Sequence, residues 1–187
     1  MSLRKTIEVV VKLFESGVIG RYAIAGAVGA LNYIQPTLTE DLDILISVDA
    51  FETRASGIIL LDPIETALAE MGYAERSDVG IMVEGWPVQF LPVASPLDEE
   101  ALERAVDVDV RDGEETSFKA RVLRAVHLVA IALRLGRLKD LARIDAFLEQ
   151  DAVDLEGLKS ILERHKLTAA WKEFCLKAGR KNTLVDG

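Results

Sequence analysis

The sequence predicts an α/β (α+β) body followed by a helical C-terminal module, and three observations carry that prediction. A short apolar run over 22–25 leads into the small residues Ala25-Gly26-Ala27-Val28-Gly29-Ala30, as at a strand-to-helix turn. Asp41-Leu42-Asp43 opens a second, continuous apolar run through Ile44, Leu45 and Ile46. After Lys119 the composition changes, and from Arg124 onward apolar residues recur at helical spacing. The expected division is a core over 1–120 with a helical module over 121–187 packed on it. A chain of 187 residues, half of them hydrophobic, is long enough to bury such a core.

Taken in order, Ser2 is placed to cap a helix whose apolar positions Ile7, Val10, Val11 and Phe14 share a face, with Gly17 as its stop. The strand at 22–25 and a short helix over 28–33 follow, until Pro36 interrupts and leads into a strand over 41–48. Asp62 before Pro63 reads as a cap, and Ile64, Ala67, Leu68 and Met71 give that helix an apolar face up to Gly72. Extended segments are expected at 73–77, 79–84 and 86–91, the last two joined by a hairpin turn at Gly85. A helix over 97–105, capped near Ser95, precedes a second Asp-x-Asp, Asp107-Val108-Asp109, read as the polar face of a half-exposed edge strand. Helices at 124–135, 138–149, 155–165 and 168–177 complete the chain, which contains no internal repeat.

A formal net charge of −9 argues against a polyanion-binding surface over the whole molecule. From Lys159 onward, however, seven Lys and Arg face three acidic residues, a surplus of four that leaves −13 on residues 1–158. Such a basic tail is either an RNA contact or an ordinary exposed helical face. The single cysteine, Cys175, excludes an internal disulfide and a cysteine zinc cluster. The charged start and the lack of any membrane-length apolar run lead to the expectation of a cytoplasmic protein with no membrane contact.

Side chains alternate along a strand, so Asp41 and Asp43 project from one face two residues apart. Two ionised carboxylates there repel, and a proton or a cation between them lowers the cost. Magnesium accepts one or two protein carboxylates and fills its other positions with water and phosphate oxygens. Alternatively, one Asp ends a strand and the other is solvated. Gly26 stands where a missing side chain would let a phosphate approach the backbone, or simply allow tight packing. His127 on its apolar helix reads as a buried, hydrogen-bonded residue, His165 as a helix-end cation or cap, Trp86 and Trp171 as packing groups, and Cys175 as chemically silent.

The small-residue turn at Gly26-Ala27, a short helix and then Asp41-Leu42-Asp43 resemble the nucleotidyltransferase superfamily. The closer resemblance is to its small prokaryotic branch, which includes the AbiEii-like toxin nucleotidyltransferases. There a Pro-Arg-x-Thr segment leads into the Asp-x-Asp, and a later helix pair carries a Lys and an Asp. This chain has Pro36-Thr37-Leu38-Thr39, and Ile131-Ala132-Leu133-Arg134-Leu135-Gly136-Arg137-Leu138-Lys139-Asp140. The match runs from about position 22 to about 147, with three departures. Thr37 replaces the usual Arg, Arg134 the usual Lys, and Gln89 stands where a following strand usually offers a third carboxylate.

What the resemblance implies is a mixed sheet with flanking helices that binds a nucleoside triphosphate with Mg2+ or Mn2+. Asp41 and Asp43 would hold the metal, and Gly26, Ala27, Thr39 and Lys139 would contact the nucleotide. Arg134 would offset developing charge, and Asp140 would join the catalytic group. The reaction would pass a nucleoside monophosphate to RNA, a protein side chain or a small alcohol or amine. The rival expectation, which Gln89 motivates, is a nucleotide-binding module without turnover or the partner subunit of a toxin and antitoxin pair.

Overall fold

Alternation along the strands decides what each face of the sheet meets. In a computed structural model that describes residues 2–35, 39, 41–49, 61–110, 117–182 and 184, six strands form one mixed sheet. They are β1 (Tyr22–Ile24), β2 (Leu42–Ile46), β3 (Ile81–Val83), β4 (Trp86–Pro92), β5 (Val106–Val110) and β6 (Phe118–Val122), in the order β3-β4-β2-β1-β6-β5. The pairs β1–β6 and β2–β4 are parallel, and the other neighbours are antiparallel. Eight helices accompany the sheet among the described residues, which makes this an α/β mixed fold.

Leu42, Ile44 and Ile46 of β2 join Tyr22, Ile24, Val88 and Val122 on one face. That face is covered by α1 (Leu3–Glu15) and α3 (Asp62–Glu70), through residues such as Val10, Leu13, Ile64 and Leu68. The opposite face carries Ala23 and Leu45. Above it lie α4 (Pro96–Glu103), α5 (Ala125–Leu135), α6 (Leu138–Glu149), α7 (Leu155–Arg164) and α8 (Thr168–Lys177). A single buried cluster runs from Leu45 through Leu102, Leu128 and Val129 to Ile144, Leu162 and Trp171, so the C-terminal helices share a core with the sheet. The remaining helix, α2 (Gly26–Ala30), fills the turn after β1.

Most expected elements occur within a few residues of their predicted ends, and the differences have local causes. The segment 73–77 forms only a bridge, Arg76 to Ile81. The Ser77 hydroxyl accepts from the amides of Val79 and Gly80, which closes a tight turn and shortens the ladder to β3. Asp62 is not the cap of α3; Leu61 holds that position and Asp62 lies in the first turn, where its charge suits the helix dipole. Strand β6 was not anticipated, although Phe118, Ala120 and Val122 alternate with Lys119 and Arg121. The hairpin between β3 and β4 turns on Glu84 and Gly85, at φ of 51° and 84°, as a two-residue turn with both centres left-handed requires. Pro36, Thr37 and Leu38 lie outside the described residues.

Candidate functional site

The N-terminal end of β2 faces the helical side of the sheet. Leu42 is fully buried in the opposite core, so its neighbours Asp41 and Asp43 both turn away from that core. The Thr39 hydroxyl lies 3.1 Å from the Asp41 carbonyl and 3.3 Å from its Oδ1, and donates there. The side chain of Asp43 has no hydrogen-bond or ion-pair partner among the described residues. Burial, reinforced by the charge of Asp41, pushes the Asp43 carboxyl above the ordinary range, while Lys139, Arg143 and Arg137 pull against that shift.

Gly26 packs directly on this carboxylate. Its φ is +57°, and a Cβ placed on it would lie 2.1 Å from Asp43 Oδ2. The Ala25 amide also donates to the Asp43 carbonyl at 2.9 Å, which fixes the turn against the strand. The small residue is therefore required by the acid beside it. In the parallel ladder Asp43 stands abreast of Gln89, so an amide occupies the strand position next to the Asp pair.

Across the cleft, α6 supplies cations. Asp140 is fully buried and accepts from Arg137 Nε at 2.5 Å, Arg137 Nη2 at 3.2 Å and Arg143 Nη1 at 3.3 Å. The bond from Asp140 raises the Arg137 pKa further, and Asp43 and Asp41 add to the effect. Spacing of three along α6 puts 137, 140 and 143 on one face, so a single buried acid orients both guanidiniums. Lys139 is exposed and has no ion pair among the described residues. The space between α6 and the sheet is a cleft of about 790 Å3, lined by Ala27, Thr39, Asp41, Asp43, Arg137, Lys139 and Arg143, with the Ser77 to Val79 turn as its far wall.

Of the residues singled out in the sequence, Gly26, Ala27, Thr39, Asp41, Asp43, Lys139 and Asp140 thus converge. Arg134 does not. It sits at the end of α5 and bonds Asp98 through both nitrogens, at 3.1 and 2.7 Å, and also Ser95. Asp98 is 4% exposed, so Arg134 neutralises a buried acid at the start of α4 and does not line the cleft. Arg137 and Arg143 take the place facing Asp43. Glu149, at the far end of α6, pairs instead with Arg180. Glu84 is held by the Tyr73 hydroxyl at 2.6 Å and lies outside this group.

Other candidates resolve into packing. His127 is buried, but neither ring nitrogen finds a hydrogen-bond partner among the described residues, and Glu100 at 3.8 Å is too far to supply one. His165 Nε2 lies 2.7 Å from Glu100, which Arg164 also binds. Trp171 and Phe174 stack in the core beside buried Cys175. In the basic tail, Arg164 and Arg180 turn inward onto Glu100, Asp145 and Glu149.

The sequence matches no protein-family model, and a comparison with curated proteins finds no match. What the site can do therefore rests on its own chemistry. Among the described residues no three His, Cys, Asp or Glu gather as a metal cage. Two carboxylates with a free coordination side nevertheless suit a magnesium ion that arrives with phosphates and keeps water on its other positions. Fixed guanidiniums opposite them suit phosphate oxygens. No helix among the described residues is long and apolar enough to cross a membrane.

Proposed function

We propose that this protein binds a nucleoside triphosphate with magnesium or manganese and transfers its nucleoside monophosphate to an acceptor. The observation that carries the reading is the Asp43 carboxylate, unpartnered among the described residues, set beside Asp41 and confronted across an open cleft by Arg137, Lys139 and Arg143. Asp41 and Asp43 hold the metal, which would offset phosphate charge when bound. Arg137 and Arg143, aimed by Asp140, bind phosphate oxygens, and Lys139 adds a mobile charge at the rim. The acceptor oxygen bonds to the α-phosphorus, the bond from that phosphorus to pyrophosphate breaks, and the acceptor proton leaves to water in the cleft. The protein's part is positioning and electrostatic stabilisation.

A second reading, nucleotide binding without turnover, is favoured by one observation: Gln89 beside Asp43 brings no negative charge for a second cation. One experiment separates them. Purified protein is incubated with magnesium, each labelled nucleoside triphosphate and either total RNA or a small aliphatic alcohol or amine as acceptor, in parallel with an Asp41→Ala, Asp43→Ala variant. Label transfer that disappears in the variant supports the transferase. A metal-dependent rise in melting temperature without transfer supports the binding module, since ligand at about a hundred times its Kd adds about 2.7 kcal/mol. Absence of both removes the reading altogether.

A further inference from the structure

A second cavity of about 210 Å3 adjoins the charged cleft and shares Asp43, Arg137 and Arg143 with it. Its walls are aliphatic: Leu91, Leu123, Leu128, Ile131, Ala132 and Leu135. Among the described residues that line it none is aromatic, and Gln89 supplies the one neutral polar side chain. The charges at its edge balance, Asp43 and Asp140 against Arg137 and Arg143. Leu135, part of its wall, remains 49% exposed at the end of α5, so apolar surface continues outward from the cavity.

We propose that this cavity binds the aliphatic body of an uncharged small alcohol, the second substrate of the reaction above, with its hydroxyl beside Asp43. The inference rests on that reading and names its acceptor class. Asp43, with Arg137 and Arg143, lines both cleft and cavity, so a molecule seated here with its hydroxyl at Asp43 presents it to a phosphate held in the cleft. The hydroxyl oxygen then bonds to the α-phosphorus as pyrophosphate departs, and its proton passes to water in the cleft.

Other occupants fit less well. An ammonium would lose its hydration between two guanidiniums, and a carboxylate would do so between two acids. A nucleobase would find a single neutral amide and, among the described lining residues, no aromatic face to stack on. The volume also falls below the roughly 300–1,000 Å3 of pockets that take drug-sized ligands, which leaves no room for a strand of RNA.

Methyl-resolved NMR of the full chain, labelled at Leu and Ile, tests this with three probes: 1-hexanol, hexylammonium and hexanoate. Saturable shifts of the Leu91, Leu128, Ile131 and Leu135 methyls are expected with 1-hexanol, and binding of the two charged probes about tenfold weaker or worse. Leu135→Arg, at an exposed position, should weaken 1-hexanol about tenfold while the fold is retained, and Ala132→Leu, which fills the cavity, should do the same. Shifts that fail to saturate, equal binding of the charged probes, or indifference to both substitutions overturn the proposal. Magnesium-ATP binding is measured separately on the unaltered protein by thermal shift. If ATP binds and 1-hexanol does not, this inference alone fails. If 1-hexanol binds and ATP does not, the transfer reading fails and takes the acceptor role with it.

Discussion

Replacing Gly26 by alanine tests whether the glycine exists for the acid next to it. Two costs arise. Alanine at a φ of +57° gives up about 1–2 kcal/mol to left-handed backbone strain. Its Cβ would also stand 2.1 Å from Asp43 Oδ2 and 2.9 Å from Cγ, so the carboxylate must be displaced. Overpacking of that kind costs about 1–3 kcal/mol. The total, about 3 kcal/mol, corresponds to a fall of roughly 6–12 °C in melting temperature for a chain of this size. Urea unfolding of four proteins without metal or nucleotide separates the terms: the parent, Gly26→Ala, Asp43→Ala and the double variant. In the Asp43→Ala background the nearest atom is Asp43 Cβ at 3.1 Å, so the cost of Gly26→Ala should fall to the backbone share, about 1–2 kcal/mol. The coupling should be about 1–2 kcal/mol. An equal cost in both backgrounds would mean that Asp43 does not rest on Gly26, and the geometry of the site would be refuted.

Stability should fall in acid through two windows. Burial, opposed by nearby Glu100, holds His127 down at about 4, so the unfolded chain takes up a proton from about 6.5 downward while the folded chain does not; stability drops as pH falls from 6.5 to about 4. Burial works to raise the Glu100 pKa, but Arg164 and His165 outweigh it and hold it at about 2, so its contribution, complete above its ordinary 4.5, is lost as pH falls toward 2. Melting temperatures across pH should show His127→Leu abolishing the upper window and Glu100→Gln the lower. Because both His127 nitrogens are buried without partners, His127→Leu should also leave the protein about 1 kcal/mol more stable at pH 7. Arg134→Ala should cost about 2–3 kcal/mol in urea unfolding by stranding buried Asp98, yet leave the magnesium-ATP thermal shift in place; loss of that shift would return Arg134 to the site. Gln89→Asp should tighten manganese binding, read by paramagnetic relaxation, and destabilise the metal-free protein; no change in either would show that position 89 does not face the Asp pair.

Elements with strong local signals were legible in the sequence. Ser2 and Ser95 cap their helices as expected, accepting from Lys5 and Asp98, because a capping bond joins residues only three positions apart. The four C-terminal helices were legible from spacing alone. Strand β6 was missed because five alternating residues next to a compositional change carry little periodic signal. Which of Arg134 and Arg137 reaches the cleft was not legible, for a tertiary reason. Both precede or begin α6, and only the position of Asp98 on α4 and Asp43 on β2 decides which guanidinium goes where. His127 was read as hydrogen-bonded on general grounds, and its surroundings supply no partner.

The chain contains Asp-x-Asp twice, and the comparison shows why one pair suits chemistry and the other does not. On edge strand β5, Asp107 stands opposite Arg121 and Asp109 opposite Lys119, with ion-pair distances of 3.9 and 2.8 Å. Each acid meets its cation across one rung of the ladder, so no space for a ligand separates them. On β2 the residue abreast of Asp43 is an uncharged glutamine, and the balancing cations stand on α6 across a cleft of about 790 Å3. Opposite charges kept apart by that much solvent-filled space leave their attraction unspent, and a metal-bound phosphate, carrying both signs, satisfies both sides at once. The distinction lies in which strand neighbours which. Without Lys119 and Arg121 on β6 the β5 pair would lose its cations, and with arginine at position 89 the β2 pair would be neutralised within the sheet.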